Sequence, residues 1–126
     1  MPQITVDHSK AIHFDREGFA HDLHTALVEI AAAKPEACKT QFRASEVTAY
    51  GYEDPLDQGH AVVHVMIGLL AGRTEETKEK LTETVLELLK KHVADDGPAV
   101  LHASAEVRDL DPSYRKFERQ TVLRRQ

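Results

Sequence analysis

Pro2 stands directly behind the initiator methionine, where a small residue normally lets the methionine be removed, and removal would leave a secondary amine at the N-terminus. An N-terminal amine titrates at about 8 in an ordinary peptide, and burial or a neighbouring cation lowers that figure because both disfavour the charged form. Such an amine can serve as a general base near pH 7. The plain alternative is a Met-Pro opening with no chemical role.

Two arginines are candidate partners for that base. Arg73 follows the Ala71-Gly72 turn and precedes Thr74, Glu75 and Glu76, which read as the cap and first turn of a helix. Its fork can hold a carboxylate through two hydrogen bonds, and the free N–H groups of the helix start favour anions as well. The same positive field would help keep the Pro2 amine unprotonated. Arg43 sits beside Phe42 in a strand-like segment, where an ion pair with Glu46 or another acid competes with an anion-binding role.

Among the eight histidines, His21 and His24 are helix-spaced and His60 and His64 share a strand face. Both spacings can ligate zinc, but neither has a neighbouring cysteine, and the first pair lies beside Asp22 on a face expected to be exposed; no metal site is expected. His64 reads instead as a hydrogen-bonded residue within an apolar strand. The sequence offers no glycine-rich phosphate loop, serine elbow or Cys-His pair, and no cofactor is expected.

The elements that must position these residues follow from hydrophobic spacing. Ile4 and Val6 alternate in a short strand that starts at Pro2. Leu23, Ala26, Leu27, Ile30 and Ala31 mark a helix over about 17–33 that Pro35 closes. Phe42 to Tyr50 is rich in β-formers, with a change of phase between 44 and 47 that suggests a bulge. Ala61 to Leu70 is almost continuously apolar and reads as a strand covered on both faces. A second helix from Thr74 buries Leu81, Val85, Leu88 and Leu89, carries Lys90 and Lys91 near its end, and gives way to Asp95-Asp96-Gly97-Pro98. The last strand alternates Leu101, Ala103, Ala105 and Val107 against His102, Ser104, Glu106 and Arg108.

Strand, helix, strand therefore occurs twice, over about 2–50 and 61–109, with the halves aligning at an offset of 58 to 60 residues and a tail over 110–126. This predicts one α/β domain over 1–126, a four-stranded sheet with two helices on one face. Two helices cover only one face, so the second face of the apolar strand is expected to pack on other subunits.

Composition agrees with a single soluble domain: 126 residues, 41% hydrophobic and 29% charged, with no apolar run near the roughly 20 residues of a membrane span. The start has neither the basic region nor the apolar stretch of a signal peptide, and Cys38 is the one cysteine, so a cytoplasmic protein without disulfides and with Cys38 as a bystander is expected. The net charge of −5 argues against nucleic acid as a partner. The charge is uneven: Arg115, Lys116, Arg119, Arg124 and Arg125 make the tail basic, which suits a solvated surface or a subunit clasp.

The opening Pro-Gln-Ile-Thr-Val, the segment Val-Val-His-Val-Met-Ile-Gly-Leu-Leu-Ala-Gly-Arg-Thr and the later Glu-Val-Arg-Asp-Leu-Asp-Pro together resemble the 5-carboxymethyl-2-hydroxymuconate isomerases of the tautomerase superfamily. The resemblance implies a doubled β-α-β fold, a homotrimer, and a cofactor-independent ketonisation of a carboxylated dienol. It further implies Pro2 as the acid/base, with Arg73 and Arg43 as the matching substrate-binding arginines. The chain departs from the family at Ser45, where some members carry a second arginine, and along Ser113 to Val122. Both departures bear on the substrate, which leaves two rivals: a tautomerase of another enol, such as a phenylpyruvate-like compound, or a non-catalytic trimeric binding protein.

Overall fold

The computed structural model describes residues 2–54, 59–98 and 100–121. Strand β1 (Gln3–Ser9) leads through helix α1 (Arg16–Ala31) and a 3-10 turn (Pro35–Ala37) to β2 (Lys39–Ser45). The second half repeats the order with β3 (His60–Leu69), α2 (Glu75–His92) and β4 (Val100–Asp109). The strands form one sheet in the order β2-β1-β3-β4. Each half contributes a parallel pair, and the halves join through the antiparallel β1–β3 pair, which sets Val6 opposite Val65.

Both helices lie on one face, because the alternation of each strand turns its apolar set that way. Ile4 and Val6 of β1 and Ala61, Val63, Val65 and Ile67 of β3 are buried with Phe19, Leu23 and Leu27 of α1 and Leu81, Val85 and Leu89 of α2. Burial of each larger side chain contributes roughly 1.5–3 kcal/mol. Helix α1 starts where the Asp15 carboxylate accepts from the Gly18 N–H at 3.1 Å. It stops at Ala32, in the left-handed region at φ 56°. Thr74 caps α2 by accepting from the Thr77 N–H at 3.1 Å, and Lys90, Lys91 and His92 occupy its last turn. The loop before α1 is laced to the end of α2 by Asp15 N–H to the His92 carbonyl and Ala94 N–H to the His13 carbonyl, both at 2.9 Å.

Three expectations need correction. The second strand runs over Lys39–Ser45, not Phe42 to Tyr50, and contains no bulge. The phase change in the sequence marks the end of pairing, since Ser9↔Ser45 is the last register pair with β1 and Val47 beyond it is 63% exposed. His64 is not a core residue of the chain: the face of β3 away from the helices, the one expected to pack on other subunits, is left open in the protomer, with His60, Val62, His64 and Met66 half-buried there. His64 accordingly lies on this open face, where it meets Ser104 Oγ at 2.7 Å and Glu106 at 3.2 Å. Third, His24 is half-buried against Thr40 Oγ1 at 2.8 Å rather than on an exposed helix face, and burial lowers its pKa.

Candidate active site

The ring of Pro2 is fully buried on the helix side of the sheet, at the N-terminal end of β1. The register that follows it pairs Gln3 with Lys39 on one side and with Gly68 on the other, so Pro2 sits between the start of β2 and the end of β3. Beyond that end of β3 comes Leu70, whose carbonyl accepts from Arg73 Nη1 at 3.2 Å. Arg73 thus reaches the same end of the sheet as Pro2, as its place after the Ala71-Gly72 turn suggested. Gly72 makes the turn possible at φ +124°, a conformation that L side chains rarely adopt.

The guanidinium is anchored rather than loose. Its Nε and Nη2 both donate to the Ala31 carbonyl, at 3.3 and 3.0 Å, and so close the open C-terminus of α1. Three of the five N–H donors of an arginine are engaged in this way, which leaves a pair for a carboxylate.

Arg43 is placed elsewhere. It faces Asp7 across β1 and β2, with Nε to Oδ1 at 2.8 Å and Nη2 to Oδ2 at 3.1 Å, and this pairing raises its pKa. Five residues along β1 separate Asp7 from Pro2, about 17 Å at the rise of a strand. The structure therefore places Pro2 and Arg73 at the same end of the sheet and leaves Arg43 of the same protomer at the far end. The ion-pair alternative holds for Arg43, with Asp7 as its partner; Glu46 pairs with Lys10 instead.

Two further residues at the Pro2 end escaped the sequence reading. Lys39, the register partner of Gln3, is exposed and donates to the Ala37 carbonyl at 3.2 Å, adding a second cation to this end. Tyr114 lies in the segment read only as a basic tail, yet its hydroxyl accepts from Gln3 Nε2 at 3.1 Å. A turn delivers it: Tyr114 N–H bonds the Asp111 carbonyl at 2.9 Å, and the Ser113 hydroxyl and then its N–H donate to Asp111 Oδ1, at 2.5 and 2.8 Å, holding the Asp111 carboxyl below its usual range. The Asp-Pro-Ser sequence was a signal for that turn. Leu110 seats the segment, with its N–H on the Leu69 carbonyl at 2.7 Å and its side chain over Gly68. Nearby Cys38 is half-buried, and burial pushes its thiol pKa up, so it is not an activated nucleophile.

A buried proline, an anchored guanidinium, a lysine and a phenol thus share one end of the sheet. If the proline nitrogen is free, the proline can move a proton and a guanidinium at its end of the sheet can hold an anion, while Tyr114 meets Gln3 on the opposite, open face. No family model matches the sequence, and no curated protein matches it. Solved structures do match. A 5-carboxymethyl-2-hydroxymuconate isomerase from Deinococcus radiodurans R1 is 21% identical with a TM-score of 0.57, over 93% of this chain and 90% of its own. A fused 4-OT symmetric trimer gives a TM-score of 0.69 at 14% identity, over 91% of this chain and 92% of its own. The fold is that of the tautomerases. A malonate semialdehyde decarboxylase shares this tautomerase fold too, at 22% identity and a TM-score of 0.57, over 94% of this chain and 90% of its own.

Two cavities of about 620 Å³ each are present among the described residues: one is lined by Ile30, Thr74 and Thr77, next to Arg73 in the chain, and the other is not at the Pro2 end. This other cavity is lined by Ala61, Leu101 and Ala103 near the starts of β3 and β4, on the helix side. Seven residues of β3 separate Ala61 from Gly68, or about 23 Å.

Proposed function

We propose that this chain is a cofactor-independent tautomerase that ketonises a carboxylated dienol such as 5-carboxymethyl-2-hydroxymuconate, as a homotrimer in the cytoplasmic breakdown of aromatic compounds. The observation that supports the reading is that buried Pro2 and the anchored Arg73 lie at the same end of the sheet. The tautomerase fold, shared with an isomerase of that substrate, supports it.

With Met1 present the Pro2 nitrogen is an amide and cannot accept a proton; removal of Met1 makes it a secondary amine. In its neutral form the amine takes the proton of the substrate 2-hydroxyl, and the same nitrogen delivers a proton to carbon as the double bonds shift. Arg73 grips a substrate carboxylate with its remaining N–H donors and stabilises the negative charge of the dienolate. The cations Arg73 and Lys39 also favour the neutral amine. In this reading Arg43 serves a site only from a neighbouring copy of the trimer, after exchanging Asp7 for substrate.

A second reading has a specific observation in its favour. Of the two arginines matched by the resemblance, Arg73 alone lies at the Pro2 end of the protomer, and Arg108, the register partner of Gly68 at that end, is held by Glu106, which fits an enol with a single carboxylate of the phenylpyruvate type. Ultraviolet-monitored ketonisation of both substrates, by the protein and by Pro2→Ala after mass spectrometry confirms loss of Met1 from each, tests the two together. Pro2→Ala is expected to lose most of the rate on the preferred enol. Full activity in Pro2→Ala overturns the proposed base, and inactivity of both proteins on every enol points to a binding protein.

A further inference from the structure

The apolar groove between α2 and β4 and the basic tail are surface features that the proposed chemistry leaves unused. The groove exists because small residues line it: Ala61 and Ala103 face α2 where larger side chains would fill the gap. Leu101 is left 39% exposed at an edge strand. Glu83, Glu87 and Asp95 stand along its rim, against one lysine, Lys90, which Glu87 holds at 3.0 Å. The rim is therefore acidic over an apolar floor.

The tail has the opposite character. Phe117 is 81% exposed, an unusual place for an aromatic ring, and Arg119 lies over it at 5.8 Å. Arg115 and Lys116 flank it, and the Arg115 guanidinium donates to the Pro112 and Tyr114 carbonyls. An aromatic anchor among cations is complementary to an apolar slot rimmed by carboxylates.

The tail of the same chain does not reach this groove. Leu110 is fixed at Leu69, eight residues of β3 from Ala61, about 26 Å away. The Asp111–Tyr114 turn closes to under about 7 Å, so Phe117 lies no more than about 21 Å from Leu110 along the chain. It also sets out in the wrong direction, because Tyr114 is held by Gln3, whose side chain is on the open face of the sheet. We infer that the segment Arg115–Arg119 of one copy docks in the α2/β4 groove of a second copy, with Phe117 on Leu101 and Ala103 and the tail cations on Glu83, Glu87 and Asp95.

The inference rests on self-association, which is also part of the proposed function, so the test must separate the two. Full-length Leu101→Cys and Phe117→Cys proteins, each also carrying Cys38→Ser, are mixed and oxidised, with Val47→Cys replacing Leu101→Cys as an exposed control. The expected product is a 101–117 disulfide between two chains, confirmed by peptide mapping, at twice the 14.1 kDa chain mass and at least tenfold above the control. Arg115→Glu/Arg119→Glu is expected to weaken association at least tenfold in sedimentation, and adding Glu83→Lys/Glu87→Lys to restore it. A 101–117 product no greater than the control, from proteins that sediment as the wild-type assembly, overturns the docking and leaves the trimer reading intact. Failure of the charge exchange to restore association, with all variants folded by circular dichroism, overturns the assigned groove.

Discussion

Arg73 caps the C-terminus of α1 by donating twice to the carbonyl of Ala31, and a third time to Leu70 at the end of β3. One side chain therefore ties the first helix to the turn that opens the second. A hydrogen bond to a charged group contributes about 1.5–3 kcal/mol, so Arg73→Ala is expected to lower unfolding stability by about 2 kcal/mol in urea melts. Arg73→Lys should recover less than half of that, because an ammonium cannot bridge both carbonyls with the planar fork. An activity lost in Arg73→Ala therefore reports on substrate binding only where the melt shows the variant still folded under assay conditions.

Ala32 is the one non-glycine residue with positive φ among the described residues. The left-handed region costs an L-residue roughly 1–2 kcal/mol, and glycine occupies it freely but loses more entropy on folding. Ala32→Gly is expected to stabilise the chain by about 0.5–1 kcal/mol, seen as a raised urea midpoint with an unchanged slope.

Asp22 accepts from Lys91 Nζ at 2.9 Å and from His92 Nε2 at 2.8 Å, across the gap between the helices. The Lys91 hydrogen bond, followed by that of His92, lowers its pKa to about 2. A depressed carboxylate contributes stability above its unfolded value, and that contribution disappears as the pH falls from about 4 to about 2. Urea midpoints measured across that window should fall more steeply in the wild type than in Asp22→Asn.

Gly68 lies under Leu110: a Cβ on Gly68 would come within 2.7 Å of Leu110 Cδ2. Gly68→Ala is expected to displace the Leu110 side chain and so loosen the seat of the turn that sets Tyr114 on Gln3. The effect to measure is hydrogen exchange, with faster exchange at Leu110 and Tyr114 than in the wild type and little change at Val63 or Val65.

Much of this was legible in the residues themselves. The doubled strand-helix-strand order, the Thr74 cap and the burial of Leu81, Val85 and Leu89 follow from periodicity, because each helix needs one apolar stripe and finds one sheet face. Arg73 was legible because a glycine turn at a strand end has few places to send the next side chain. Partners across strands were not. Asp7 meets Arg43 only through the β1–β2 register, which nothing local in either segment encodes. The polar partners on the open face were missed for a related reason: the parity of His60 and His64 puts both beside Val62 and Met66, where His102, Ser104 and Glu106 of the neighbouring strand meet them. Tyr114 was missed because long-range closure of a tail over the first strand leaves no periodic trace.

The β1–β3 pair also relates the halves by an internal twofold, centred where Val6 faces Val65. Under it Pro2 falls on Ala61, so the two occupy equivalent corners of the sheet, one plugged by a buried ring and the other opening into a 620 Å³ cavity. Symmetry of backbone is therefore not symmetry of filling: a single exchange of proline for alanine at matched positions leaves one corner of the sheet closed and its twin hollow.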